Sequence, residues 1–135
     1  MRSLKSFALL LILSTAFLAC KKDKDESSNQ AGSESFMGKW TGTYGFDNDF
    51  PGYFFSLNIK SDGVIQELNS SGVAKGEGTW TMQGSALKGV YKMKFSPYNE
   101  YSVIATFNPA TGKIEGTWGY DKNGADGGKI LLAKQ

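Results

Sequence analysis

The sequence predicts an all-β domain, an eight-stranded antiparallel up-and-down β-barrel, over residues 36–135. Three observations carry that prediction. Apolar and polar residues alternate with period two through most of this stretch, clusters of Gly, Asn, Asp, Ser and Pro cut the alternation into short runs, and glycine recurs two positions before an aromatic residue. Successive side chains leave a pleated strand on opposite sides, so period-two alternation marks a strand with one dry and one wet face. No helical periodicity of useful length lies between the runs. A two-sheet β-sandwich is the second architecture the pattern allows.

The runs follow in order. In FMGKWTGTYGF, Trp40, Gly42, Tyr44 and Phe46 share one face and Lys39, Thr41 and Thr43 the other. The next run places Tyr53, Phe55, Leu57 and Ile59 opposite Ser56, Asn58 and Lys60, and a third lies around Val64 to Leu68. In VAKGEGTWTM, Ala74, Gly76, Gly78, Trp80 and Met82 oppose Lys75, Glu77, Thr79 and Thr81. Leu87, Gly89, Tyr91, Met93 and Phe95 then oppose Lys88, Lys92 and Lys94. Tyr101, Val103, Ala105 and Phe107 oppose Ser102, Thr106 and Asn108. Ile114, Gly116, Trp118 and Tyr120 oppose Lys113, Glu115 and Thr117, and GKILLAKQ supplies the last run. Phe54, Val90 and Ile104 break the alternation.

Between the runs lie FDNDFPG, KSDG, NSSG, QGS, SPYNE, NPATGK and DKNGADGG, rich in the residues that build tight turns. Connections this short pair sequence neighbours as antiparallel neighbours in space, which gives a meander. A meander of about eight strands can close on itself and remove its exposed edges. The spacing glycine, any residue, aromatic recurs as GKW, GTY, GTW, GVY and GTW at Gly38, Gly42, Gly78, Gly89 and Gly116. Glycine there lets a strand bend sharply and leaves room for a ring, as a small barrel requires.

MGKWTGTY near the start, the repeated GTW and the eight-run meander resemble the lipocalin and avidin group of barrels, especially small lipocalin-like bacterial lipoproteins. Gly38 and Trp40 match the Gly-x-Trp that lipocalins carry near the first strand. The resemblance covers residues 36–135 and is one of architecture. The polar and tryptophan positions that avidins use for biotin are not matched, so biotin binding does not carry over.

The N-terminal quarter reads differently. Arg2 and Lys5 precede an apolar run from Phe7 to Leu18, interrupted only by Ser14 and Thr15. The run is shorter than the ~20 apolar residues of a spanning helix and has the form of a secretory signal. LSTAFLAC, ending at the single cysteine, resembles a bacterial lipoprotein signal. That resemblance implies a signal peptide over 1–19 and lipidation of Cys20, with an ordinary secreted protein as the plainer reading. A lone exported cysteine has no intrachain disulfide partner. After it, KKDKDESSNQAGSES is too polar to bury surface, so 20–35 reads as the lipidated cysteine and a flexible tether. Asp23, Asp25 and Glu26 resemble the acidic export signal by which some Gram-negative bacteria carry lipoproteins to the cell surface. The expected location is a lipid anchor in the outer membrane, facing outward or inward.

Of 15 basic and 13 acidic side chains, Arg2 and Lys5 belong to the signal, leaving 13 against 13. A neutral chain without nucleic-acid motifs gives no reason to expect a nucleic-acid partner. The domain has no histidine and its expected boundaries exclude Cys20, which removes the usual general base, thiol nucleophiles and the commonest transition-metal ligands. Glu67, Glu77 and Glu115 invite a glycosidase reading, yet Glu77 and Glu115 fall on the polar face. DKNGADGG offers Asp121, Asn123 and Asp126, but Ala125 and Leu132 stand where an EF-hand loop needs ligands. A non-enzyme without metal or cofactor is therefore expected.

The aromatic face is the main functional clue. If it points inward, Trp40, Tyr44, Tyr53, Phe55, Trp80, Tyr91, Tyr101, Trp118 and Tyr120 line the interior. An eight-stranded barrel is at the size where side chains either fill the interior or leave room for one small ligand. Two functions stay open: capture of a small apolar or aromatic molecule beside Trp80 and Trp118, or a solid barrel whose loops 46–52 and 121–128 contact a protein or glycan. Envelope assembly factors and inhibitors of exported enzymes are the analogues of the second.

Overall fold

The computed structural model describes residues 32–135. The expected signal peptide over 1–19, Cys20 and most of the expected tether lie outside the described residues. A single helical turn, α1 (Ser33–Phe36), leads into eight strands: β1 (Gly38–Tyr44), β2 (Tyr53–Ile59), β3 (Val64–Leu68), β4 (Ala74–Gln83), β5 (Ala86–Met93), β6 (Glu100–Asn108), β7 (Lys113–Tyr120) and β8 (Gly128–Lys134). Each strand pairs antiparallel with its sequence neighbours, and β1 closes on β8 with Trp40 opposite Lys134 and Tyr44 opposite Ile130. The closure makes the fold an up-and-down barrel, consistent with a lipocalin-like fold, and rules out the sandwich.

Alternation sets the faces as the residues dictate. Trp40, Phe55, Leu57, Ile59, Ile65, Leu87, Val103, Ile114, Ile130 and Leu132 are buried in one core. Burying side chains of this size contributes on the order of 1.5–3 kcal/mol each relative to exposure. Three of the recurrent glycines sit where the neighbouring strand's backbone comes too close for a side chain. A Cβ at Gly42, Gly78 or Gly116 would run into the backbone of the adjacent strand, at Leu131, Val90 and Ile104 respectively. The tight turns follow their residues: Asn69 Oδ1 accepts hydrogen bonds from the Ser71 and Val73 amides, and Gly72 takes φ +80°.

The two ends of the barrel differ. At one end, α1 lays Phe36 beneath the strands, wholly buried, and the Phe36 carbonyl accepts a hydrogen bond from Trp40 Nε1 at 2.6 Å. Phe107 meets both rings edge-on, at 6.4 Å from Phe36 and 6.1 Å from Trp40. This end is a packed plug. Ser33 to Ser35, read from composition as the end of the tether, form the turn that delivers Phe36. The other end carries the β1–β2, β3–β4, β5–β6 and β7–β8 connections.

One irregular strand face has a clear cause. The β7–β8 connection folds down over the outer face of β6, bringing Gly124 against Ile104, and Thr117 Oγ1 donates to the Gly124 carbonyl. That covers Ile104 and also buries Ser102, whose Oγ has no hydrogen-bond partner among the described residues.

Candidate functional site

The end opposite the plug opens into a cup of about 220 Å³. Its wall is aromatic because the inward faces of β1, β2, β5, β6 and β7 all end there in rings: Tyr44, Phe55, Tyr91, Tyr101, Trp118 and Tyr120. The rings form a continuous set of edge-on and tilted contacts. Trp118 sits at the centre, 5.5 Å from Tyr44, 6.0 Å from Tyr101, 5.3 Å from Tyr120 and 5.6 Å from Phe46. Its indole Nε1 donates to the Gly45 carbonyl at 2.8 Å, which ties the β1–β2 connection to β7. Aromatic pairs in this geometry contribute about 0.5–1.5 kcal/mol beyond area burial and hold one another's orientation.

Six of the nine sequence-predicted ligand residues therefore meet in the cup: Tyr44, Phe55, Tyr91, Tyr101, Trp118 and Tyr120. Tyr53 stacks on Tyr44 at 5.4 Å but stands on the rim, 58 % exposed. Trp40 and Trp80 lie elsewhere. Trp40 belongs to the plug, and Trp80 Nε1 donates to the Lys60 carbonyl at 2.9 Å in the β2–β3 turn. Sharing an inward face does not put residues at the same height, and both tryptophans sit towards the closed end. The cavity expected beside both Trp80 and Trp118 lies beside Trp118 alone.

The site also contains residues outside the expected ligand set, two of which, Phe46 and Met93, alternation had already placed on the inward face. Glu67 follows Ile65 on the inward face of β3 and is buried, while Phe46 and Met93 complete the rim. Lys75 is the more instructive case. Alternation along β4 puts it outside with Glu77 and Thr79, but the register shifts between Glu67 and Leu68, so Glu67 pairs with Gly76 while Leu68 pairs with Ala74. Lys75 is the extra residue of a β-bulge, a device that re-aims side chains. Its Nζ lies 2.6 Å from Glu67 Oε1, inside the cup. The only sign in the sequence is an acid at an inward position of β3, which must find a cation or hydrogen bonds once buried.

Electrostatics follow from this placement. Burial is the main cause that pushes the Tyr91 hydroxyl well above the ordinary tyrosine value, with the neighbouring Glu67 carboxylate adding to it. Burial also raises Tyr44, against a smaller opposing effect of Lys75. Both phenols are thus held neutral and able to donate. Outside the barrel, Glu77 is held below the usual carboxylate range by hydrogen bonds from Gln66 and Lys94. It lies on the exposed outer face, away from Glu67 in the cup. Asp126 is lowered by Asn123 and the Tyr120 amide, so in the β7–β8 connection it braces its own turn.

Comparison with known proteins found no family model, no curated protein and no solved structure that matches the chain.

Proposed function

We propose that the protein is a non-catalytic binding protein that takes one small apolar or aromatic ligand in the open end of its barrel. The observation that carries this reading is the aromatic cup itself: six inward rings converge on about 220 Å³ of open space while the other end is packed solid. Concave, mostly apolar sites with a few placed polar groups are the usual form of small-ligand sites. In the same reading Cys20 bears a lipid that holds the domain at the outer membrane, and 21–32 is its leash. The support for the anchor is the signal-like stretch from Arg2 to Leu18 and the lipoprotein-like LSTAFLAC that ends at the single cysteine.

Native mass spectrometry of the protein purified from its own cells tests the binding function. A reproducible extra mass released by mild denaturation is the expected result. A bare mass, together with no change in tryptophan fluorescence across a panel of apolar and aromatic compounds, would remove the reading. A second reading, contact with a protein or glycan through loops 46–52 and 121–128, draws on Phe50, which is 85 % exposed at the tip of the β1–β2 connection. Loop substitutions that leave every identified partner bound would count against it.

A further inference from the structure

Resting on the reading of the cup as a ligand site, we propose that its ligand is an acid: a carboxylate on a flat apolar or aromatic body, received by the Lys75 ammonium. The bulge in β4 is the first argument. It turns into the aromatic cup a lysine that regular pairing would have left in solvent, and Lys75 is the lysine that lines the cup among the described residues. A lone pair of opposite charges inside an apolar wall needs a reason, because an apolar pair of similar volume is often as stable or more so.

The second argument is which member of the pair is open. The Glu67 side chain is 10 % exposed and carries Lys75 on Oε1, whereas the Lys75 side chain is 36 % exposed. An ammonium has three N–H donors and no acceptor. Glu67 is its one salt-bridge partner among the described residues, so it retains donors for a second anion. The accessible charge in the cup is therefore positive, and a ligand cation would meet Lys75 before the enclosed carboxylate.

The hydroxyls supply the rest of an anion site. Tyr101 Oη accepts from Asn99 Nδ2 at 3.1 Å, which leaves its own hydrogen to be donated. Tyr44 lines the same cup, and its phenol, like any tyrosine, is protonated at neutral pH and has a hydrogen to donate. A carboxylate can thus take one charge-assisted bond from Lys75 and one from a phenol, with its flat body against Phe55 and Trp118.

The test is calorimetric titration of the intact protein at pH 7 with three probes of one shape: 2-naphthoate, 2-naphthamide and 2-naphthylmethylammonium. The proposal expects naphthoate to bind roughly tenfold or more tightly than the amide, the gain of a hydrogen bond to a charged group, and the ammonium to bind most weakly. In Lys75→Met the preference should vanish while the amide still binds, and in Lys75→Arg the preference should persist. Should Lys75→Met not fold, Lys75→Arg together with the wild-type order of the three probes decides. Equal affinity for acid and amide, or preference for the ammonium, overturns the acid proposal and leaves the cup standing as a neutral or cation site. No binding of any probe overturns both.

Discussion

Lys75→Met is the most informative perturbation of stability, because it separates an enclosed ion pair from an ornamental surface one. Removing one partner of a buried pair costs about 3–5 kcal/mol, since the other charge is left uncompensated. Exposed pairs are worth roughly 0–1 kcal/mol. The pair here lies between these limits, with Glu67 enclosed and the Lys75 side chain 36 % exposed. Water can reach the vacated side of Glu67, so about 2 kcal/mol is expected for Lys75→Met. Glu67→Leu should cost less, about 1 kcal/mol or below, because the remaining lysine can swing towards solvent. The double variant Glu67→Leu/Lys75→Met should regain most of the loss, as an apolar pair fits an apolar wall. Urea unfolding at pH 7, followed by circular dichroism with the slope checked for constancy, gives all three values. A cost below about 0.5 kcal/mol for Lys75→Met, with the double variant equal to the sum of the singles, would show the two charges uncoupled and refute the enclosed pair.

Three further outcomes follow from the same structure. Phe36→Ala removes a wholly buried ring from the plug and should lower stability by about 3–5 kcal/mol in urea unfolding, without altering probe affinity at the far end. Ser102→Ala deletes a buried hydroxyl with no partner among the described residues and should stabilise by about 1 kcal/mol, read as a higher urea midpoint. Tyr91→Phe bears on alkaline pH. The folded state holds the Tyr91 proton more tightly than the unfolded chain, so this contribution is intact below the ordinary tyrosine value of about 10 and lost as pH rises past it. Wild type should therefore lose stability above that pH more steeply than Tyr91→Phe, and parallel profiles would contradict the enclosed phenol.

Much of the architecture was legible because period-two alternation reports directly on which face is dry. Trp40, Leu57, Leu87, Val103 and Ile114 went inside as the pattern required. What alternation does not report is height along the barrel. Trp40, Trp80 and Trp118 share the inward face, yet only Trp118 reaches the cup. The bulge was hidden for a related reason: Lys75 keeps perfect alternation with Glu77 in the sequence, and only the pairing of β3 with β4 shows one residue too many. Ile104 broke the pattern because a distant loop covers the outer face, a tertiary contact that local spacing does not encode.

The three tryptophans test the central claim most directly, since each indole N–H is held by a different backbone carbonyl: Trp40 by Phe36, Trp80 by Lys60 and Trp118 by Gly45. Their three side-chain cross-peaks in a nitrogen-15 correlation spectrum report on the plug, the β2–β3 turn and the cup separately. On titration with 2-naphthoate, the Trp118 peak should move to saturation while those of Trp40 and Trp80 stay in place. Movement of all three together, or of Trp80 or Trp40 without Trp118, would contradict a ligand site at the open end.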